Sequence, residues 1–207
     1  MRDALIIFIK NPVIGKVKTR LAATVGNDLA LVIYKKLIEH TLTIIKDVNA
    51  DKYIFFSERI DDNIGDSNIF FKKVQAGTDL GEKMKNAFEQ LFKNNYKNIC
   101  IIGTDCPGIS EYTFEEAFTK LNKDNVVMGP AEDGGYYLLG MNKFNENLFN
   151  EIVWSTAQVL QTTIEKCIEN NLRFTLLKKL SDIDEEKDLI HFDAFKKIIN
   201  NKDSQYD

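Results

Sequence analysis

Apolar residues along this chain fall into short runs that alternate with longer segments of helical periodicity. Residues 5–9 form one continuous apolar run, which is typical of a strand buried on both faces of a sheet. Six more strands are predicted at residues 52–57, 69–75, 98–103, 125–129, 136–141 and 173–177. Helices are predicted at residues 28–47, 80–94, 113–121, 155–169 and 184–200. Two of them begin with capping-box patterns, at residues 113–116 and 155–158, and Asp184 is a candidate cap for the last one.

This alternation of strands and helices predicts an α/β fold, in which a mainly parallel sheet lies between two layers of helices. We expect one domain over residues 1–200, followed by a polar tail at residues 201–207. In such sheets, ligands bind beyond the carboxyl ends of the strands. The candidate site residues are therefore those that directly follow the predicted strands.

The composition is ordinary for a globular protein, and it argues against several classes of function. The chain has 207 residues, 28% of them charged, and a formal net charge of -4. This mild acidity argues against nucleic-acid binding, and no apolar run has the length that a membrane span requires. Three cysteines without metal-ligand spacing favour a reducing, cytoplasmic location. Two histidines are too few to favour a histidine metal site or a Ser-His-Asp triad.

The segment after the first predicted strand, residues 10–20, is called the basic loop here because it is rich in cations, and it contains a proline and a glycine. Its notable residues are Lys10, Pro12, Gly15, Lys16, Lys18 and Arg20. Backbone N–H groups and fixed cations together can hold phosphates, although the spacing is that of neither a P-loop nor a G-x-G-x-x-G fingerprint. A solvated turn shaped by Pro12 and Gly15 is the alternative, and spacing alone leaves both interpretations open.

A carboxylate directly follows the buried strand at residues 98–103. Asp105 in this position can bind Mg²⁺, which typically takes one or two carboxylates together with substrate phosphates. The alternative is an aspartate that caps the loop ahead of Pro107. The segment Asp182-Ile183-Asp184 can supply a second metal ligand, for which Asp184 is the candidate and Asp133 the alternative. The other interpretation of Asp184 is the helix cap described above.

Two further glycine-bearing segments follow predicted strands. Residues 75–81 hold Gly77, Asp79 and Gly81, which either begin a helix or bring glycine backbone against a nucleotide. Residues 129–140 contain an Asp-Gly turn signal that can present Glu132 or Asp133 to a cleft. Residues 154–156, Trp-Ser-Thr, stand at a predicted helix start that favours an anion, and the tryptophan can either stack on a substrate or lie in the core.

Six motifs, taken in order, resemble those of one known family. They are Phe8-Ile9-Lys10-Asn11-Pro12, Gly15-Lys16-Val17-Lys18-Thr19-Arg20-Leu21-Ala22, Asp79-Leu80-Gly81, Ile102-Gly103-Thr104-Asp105-Cys106-Pro107, Gly129-Pro130-Ala131-Glu132-Asp133-Gly134-Gly135-Tyr136-Tyr137 and Trp154-Ser155-Thr156. They are similar to the radical-SAM/selenodomain-associated transferases, formerly a domain of unknown function, of the GT-A (nucleotide-diphospho-sugar transferase) superfamily. The match runs from about residue 5 to residue 163. Lys83 departs from the family's usual arginine and lacks its bidentate fork.

The resemblance implies a GT-A-like three-layer fold and a site for Mg²⁺ or Mn²⁺, held by Asp105 with Asp184. The predicted nucleotide-binding residues are Lys10, Pro12, Gly15, Lys18, Arg20, Gly77, Asp79 and Gly81. The predicted acceptor-binding residues are Gly134, Gly135, Tyr136, Trp154, Ser155 and Thr156. Catalysis is predicted to involve Lys18, Arg20, Asp105 and Asp133, the last of these by orienting or deprotonating the acceptor.

The first functional hypothesis is a metal-dependent glycosyltransferase that uses a nucleotide sugar and a small-molecule acceptor. The second is nucleotidyl transfer from a nucleoside triphosphate. Residues 18–22, Lys-Thr-Arg-Leu-Ala, resemble the Lys-Ser-Arg-Leu-Ala of phospholactate guanylyltransferases, and a single aspartate after the strand also favours this reaction. Hydrolysis or phosphorolysis, and a nucleotide-binding module without turnover, are more distant alternatives. The sequence predicts no oligomeric state.

Overall fold

A seven-stranded sheet forms the centre of the protein in the computed structural model, which describes residues 2–192. The strands are β1 (Ala4–Ile9), β2 (Asp51–Phe56), β3 (Phe70–Val74), β4 (Ile99–Ile102), β5 (Val126–Pro130), β6 (Tyr136–Met141) and β7 (Phe174–Leu176). Their order is β3-β2-β1-β4-β6-β5-β7, and only β6 runs antiparallel to its neighbours. The predicted α/β fold with a mainly parallel, mixed sheet is confirmed.

Within the described residues, five α-helices connect the strands. They are α1 (Thr19–Val25), α2 (Asn27–Ile45), α3 (Leu80–Lys93), α4 (Glu111–Leu121) and α5 (Val159–Glu169), with short 3₁₀ helices at Glu146–Phe149 and Glu186–His191. In the described part of the chain, no helix combines the length and the apolar character that a membrane crossing requires.

Alternate side chains of β1 pack into two separate hydrophobic cores, because successive side chains of a strand point to opposite faces of the sheet. Leu5 and Ile7 point to one face and pack in a cluster with residues of α2 and α4. Ala4 and Ile6 point to the other face, in a cluster with residues of α3 and α5. The continuous apolar run at residues 5–9 follows from this arrangement, because a strand covered on both sides has no solvent-facing positions.

A third, smaller cluster fixes the segment that follows β7. Ile183 and Leu189 are fully buried against α1 and α2, where Leu21 and Ile33 are among their neighbours. This packing brings residues 182–184 back to the sheet edge where β1 and β4 end, and Ile183 N donates a hydrogen bond to Asp105 O at 2.8 Å.

The predicted helix starts need three corrections. Helix α4 begins at Glu111 and is capped by Ser110 through a reciprocal box with Thr113, so residues 113–116 do not form the box. Helix α5 begins at Val159, because Ser155 adopts φ 63° and lies in the preceding turn. Glu185 caps the 3₁₀ helix at Glu186–His191, and Asp184 does not.

Two other differences concern where helices lie. Helix α1 was not predicted, since it has only seven residues and its first turn overlaps the basic loop. The predicted continuation of the last helix to residue 200, and the polar tail at 201–207, lie outside the described residues. The single domain over residues 1–200 stays a prediction.

Candidate functional site

A cleft of about 730 Å³ opens at the carboxyl edge of the sheet. The loops after β1, β4 and β7, the turn between β5 and β6, and the segment before α5 all contribute to it. Most of the predicted site residues line this cleft, namely Lys10, Lys18, Arg20, Asp105, Asp133, Gly135, Tyr136, Trp154, Ser155, Thr156 and Asp184. Five separate stretches of sequence therefore converge because parallel strands end at the same edge.

Lys18 lies at the centre of the charged part of the cleft. It precedes α1 in a left-handed backbone conformation, with φ 47° and ψ 46°, and only 4% of its side chain is exposed. Its Nζ lies 2.8 Å from Asp105 Oδ1 and 3.2 Å from Asp184 Oδ1, and donates a hydrogen bond to Ile183 O at 2.5 Å. Burial by itself lowers the pKa of Lys18, but the two carboxylates outweigh it, so the pKa is raised and the side chain is an ammonium.

Four aspartates share this part of the cleft: Asp105, Asp133, Asp182 and Asp184. Oδ1 of Asp182 is buried without a hydrogen-bond partner in the described structure. Burial, followed by the nearby carboxylates of Asp105 and Asp133, raises the pKa of Asp182 to about 7. The cleft therefore holds more negative charge than its own cations neutralise.

Asp182 is the site residue that sequence reasoning underused. Its segment was noted, but only Asp184 was given a role. The signal was the Asp-Ile-Asp alternation, which in an extended segment directs two acids to the same side while the isoleucine between them enters the core.

Two buried polar side chains hold the start of the basic loop, and neither was predicted. Tyr34 on α2 accepts a hydrogen bond from Lys10 N at 2.9 Å, and its hydroxyl donates to Lys10 O at 3.1 Å. Oδ1 of Asn11 accepts a hydrogen bond from Glu58 N at 2.9 Å, and its Nδ2 donates to Arg59 O at 2.8 Å. These contacts fix the path of the loop, so Lys10 leaves β1 in a defined direction.

Several predicted glycines pack against other parts of the site. A Cβ atom on Gly81 would lie 2.1 Å from Nε1 of Trp154, so the glycine is what lets the tryptophan pack against α3. Gly134, at φ 88°, leaves no room for a Cβ beside the carbonyl oxygen of Ala157. The motifs that contain these glycines and Trp154 thus contact one another in space.

The remaining predicted nucleotide-binding residues shape loops around the cleft. Asp79 caps α3 by accepting a hydrogen bond from Glu82 N at 2.9 Å, as the helix-start interpretation predicted. Gly15 and Gly77 have φ values of 74° and 138°, which a glycine adopts without strain. The cleft lining does not include Pro12, Gly15, Gly77, Asp79, Gly81 or Gly134.

A second depression, of about 840 Å³, lies between α3 and α5. Its acidic side chains have local partners, since Asp79 and Glu82 accept hydrogen bonds at the start of α3. Lys166 bridges Glu151 and Glu169, with N–O distances of 3.1 and 3.5 Å. We place the candidate site in the cleft, because it lies at the carboxyl edge of the sheet and contains a buried carboxylate oxygen of Asp182 without a hydrogen-bond partner among the described residues.

The carboxylates suit a divalent ion that also binds substrate. Within residues 2–192, no three histidine, cysteine or acidic side chains form a ready-made metal centre. However, one oxygen from Asp105 and one from Asp184 already converge on a single cation, the Lys18 ammonium. Mg²⁺ needs only one or two carboxylates when phosphates supply other ligands. Asp105 and Asp184 therefore fit such an ion, and the buried Asp182 oxygen adds negative potential nearby.

The sheet order and the position of the cleft define an α/β protein with a nucleotide-diphospho-sugar transferase-like fold. The chain belongs to the family described as "Uncharacterized protein conserved in bacteria (DUF2064)", whose model matches residues 41–156. No curated protein matches the chain. The narrower radical-SAM/selenodomain association stays a prediction.

Solved structures extend this likeness over nearly the whole chain. A "putative nucleotide-diphospho-sugar transferase" from Desulfovibrio desulfuricans G20 is 29% identical, with a TM-score of 0.86, over 98% of this chain and 95% of that one. CMP:2-keto-3-deoxy-manno-octonic acid synthetase complexed with CTP is 9% identical, with a TM-score of 0.61, over 95% and 98% of the two chains. Rv0371C of Mycobacterium tuberculosis H37Rv, complexed with manganese, is 9% identical, with a TM-score of 0.57, over 97% and 99%. The last two likenesses concern the fold alone.

Proposed function

We propose that this protein is a divalent-metal-dependent transferase that takes its group from an activated nucleotide, most simply a nucleotide sugar, and passes it to a small acceptor. The observation that carries the proposal is the convergence, in one cleft, of exposed cations, a pair of carboxylates on one cation position, and an aromatic wall. The cleft volume of about 730 Å³ is in the range of small-molecule and cofactor sites.

The charge balance of the cleft favours a metal–nucleotide complex, rather than a nucleotide without metal, as its ligand. The four aspartates face Lys10, Lys18 and Arg20, and Lys18 is already engaged with two of those carboxylates. A diphosphate entering alone would meet net repulsion. Mg²⁺ or Mn²⁺ held by Asp105 and Asp184 would reverse the sign of the local potential and stabilise charge on the leaving phosphate group.

The chain's own residues then have distinct tasks. Lys10 and Arg20 attract and orient the phosphates from the side of the β1 loop, while the Tyr34 and Asn11 contacts keep that loop in place. Asp133 lies in the β5–β6 turn, which is closed by a hydrogen bond from Gly135 N to Asp133 Oδ1 at 2.9 Å. From there its carboxylate orients or deprotonates the acceptor hydroxyl.

The proposed acceptor contacts are four further residues of the cleft lining, namely Tyr136, Trp154, Ser155 and Thr156. Pro12, Gly15, Gly77, Asp79, Gly81 and Gly134 act through shape, by setting the turns and the close packing around the cleft. A cytoplasmic location remains part of the proposal.

Nucleotidyl transfer from a nucleoside triphosphate is the second candidate. It is favoured by the loop after β4, where Asp105 is followed by Cys106 and Pro107, so that no second acid stands two residues on. The fold is also shared with a synthetase whose structure holds CTP. In this reaction the basic loop would hold three phosphates rather than two.

Product analysis separates the two candidates. Incubation with a nucleotide sugar should release a nucleoside diphosphate if the protein transfers the sugar, whereas incubation with a nucleoside triphosphate should release pyrophosphate if it transfers the nucleotide. A thermal-shift panel of nucleotides, with and without Mg²⁺, selects the base beforehand. Ligand at 100 times its Kd adds about 2.7 kcal/mol, which raises the melting temperature by roughly 5–10 °C for a chain of this size.

Each outcome of that panel has a defined meaning. Nucleotide-dependent stabilisation without any product would indicate a binding module. If no nucleotide shifts the melting temperature under any metal condition, the proposed function is wrong.

A further inference from the structure

Three oxygen atoms surround the Lys18 ammonium, which carries three N–H donors. Lys18 Nζ donates hydrogen bonds to Ile183 O at 2.5 Å and to Asp184 Oδ1 at 3.2 Å, and it forms an ion pair with Asp105 Oδ1 at 2.8 Å. Because the side chain is only 4% exposed, a phosphate could reach it only if these contacts were broken.

The surroundings keep Lys18 in this position. Its backbone has φ 47° and ψ 46°, a left-handed conformation that is unfavourable for a non-glycine residue and persists only where other contacts hold it. On the far side, Ile183 is fully buried and donates its backbone hydrogen bond to Asp105 O. The lysine thus joins α1 to the β4 loop and to the segment after β7.

Two of the three oxygens that bind Lys18 come from the carboxylates proposed to hold the divalent ion. We propose that Lys18 is a positioning residue rather than a phosphate ligand: its ammonium is a built-in cation that holds Asp105 and Asp184 together and competes with the divalent ion for the same two oxygens. The inference rests on the proposed function only in giving those carboxylates to a metal. It leaves Lys10 and Arg20 as the phosphate contacts of the basic loop.

The competition predicts that removing the lysine strengthens metal binding. Mn²⁺ binding is measured by the loss of the free-ion electron paramagnetic resonance signal, with metal alone and no nucleotide, on wild type and Lys18→Met. Lys18→Met should bind Mn²⁺ at least about tenfold more tightly, because two carboxylates lose the cation that neutralised them. A phosphate-binding or merely structural lysine predicts no such gain.

The matched control is Lys16→Met, an exposed lysine of the same loop that lies 3.7 Å from Glu58, outside the cleft lining. It should leave the Mn²⁺ affinity within about twofold of wild type. The double variant Lys18→Met/Asp184→Asn should lose the gain. Mn²⁺ binding by Lys18→Met that equals or falls below that of wild type overturns the proposal.

The proposal can still be tested if Lys18→Met unfolds in metal-free buffer. In that case Mn²⁺ should restore the folded circular dichroism spectrum of Lys18→Met but not that of the double variant. If Mn²⁺ restores neither, or both, the proposal is wrong. In wild type, a crystal structure with Mn²⁺ and nucleotide should show Lys18 Nζ withdrawn from at least one of the two aspartate oxygens, and unchanged contacts beside a bound ion contradict it.

Transfer activity is measured separately, on the wild-type protein. A gain in the Mn²⁺ affinity of Lys18→Met, without any nucleotide product from wild type, supports the role of Lys18 and contradicts the proposed function. Product formation without the gain in Mn²⁺ affinity supports the proposed function and contradicts the role of Lys18.

Discussion

The parallel strands begin at the amino edge of the sheet and end at its carboxyl edge. Both edges are rich in polar side chains, but the charges of these side chains are compensated to different extents. At the amino edge, Arg2 lies 2.8 Å from Asp51, and the Tyr96 hydroxyl donates to the same carboxylate at 2.6 Å and lies 2.9 Å from the hydroxyl of Tyr53. At the carboxyl edge, four aspartates line the same cleft as the buried Lys18, and a carboxylate oxygen of Asp182 has no hydrogen-bond partner among the described residues.

The difference separates structure from function within one sheet. The amino edge joins the starts of β1, β2 and β4 with a network in which the Asp51 charge is compensated. The carboxyl edge retains repulsion that a ligand can relieve. Proteins commonly give up stability in this way at their functional sites, while the charges and polar groups in the rest of the molecule are satisfied.

The largest expected effect comes from Asp105→Asn, which removes a carboxylate from the functional edge. The metal-dependent transfer rate should fall at least about a hundredfold, because the ion contributes several kcal/mol of transition-state stabilisation. Steady-state rates over a Mg²⁺ titration measure this, and circular dichroism checks the fold. Glu132→Gln is the control, since Glu132 pairs with Lys179 at 2.6 Å. Retained Mg²⁺-stimulated activity in Asp105→Asn would refute the metal assignment.

Asp182→Asn should stabilise the protein, and only at higher pH. The pKa of Asp182 in the folded protein, about 7, lies above its unfolded value near 4, so the folded state holds an extra proton between these values. The free energy of unfolding therefore falls as pH rises through that window, and the amide removes this loss.

The gain from Asp182→Asn should be about 2 kcal/mol at pH 8 and close to zero near pH 4, since residual solvent contact reduces the full effect of the shift. Urea unfolding in EDTA at the two pH values measures it. Asp62→Asn, with a side chain 90% exposed, is the control and should shift stability little. An equal gain at both pH values contradicts the electrostatic explanation.

Tyr96→Phe tests the amino edge. It should lower the free energy of unfolding by about 1.5 kcal/mol, because Asp51 and Tyr53 each lose a hydrogen-bond partner. Metal affinity should not change. Urea unfolding and Mn²⁺ titration measure the two quantities, and the exposed Tyr112 provides the control variant Tyr112→Phe. A change in Mn²⁺ affinity would show that the two edges are not independent.

The smallest effect is expected from Lys10→Gln. Lys10 is exposed at the mouth of the cleft, so its loss should weaken nucleotide binding by about threefold to fivefold, and less at high salt. Isothermal titration at 50 and 500 mM salt measures this. Lys36→Gln, an exposed lysine of α2 outside the cleft lining, should leave the affinity unchanged. An effect that does not depend on salt would mean that Lys10 acts through loop structure.

The strands and the position of the site could be predicted from the sequence, whereas several helix starts could not. The run at residues 5–9 became β1, which begins one residue earlier, and Asp105 stands beyond β4 as expected. The start of α5 was misplaced because Ser155 adopts a left-handed conformation that places it in a turn. Cap choice depends on the exit angle of the preceding loop, which tertiary packing sets.

Lys18 shows most clearly what the sequence by itself determined and what it left to the fold. The pattern of apolar runs determined a mainly parallel sheet, and so it determined which loops share an edge, because burial on both faces requires that pattern. Only the tertiary structure decided that Lys18 faces two aspartates rather than open solvent. Asp105 and Asp184 lie 87 and 166 positions further along the chain, and no local pattern reports the distance between groups that meet only when the core forms. The physical reason is that hydrophobic patterning is local, whereas the electrostatic partners of a buried charge are set by packing across the whole domain.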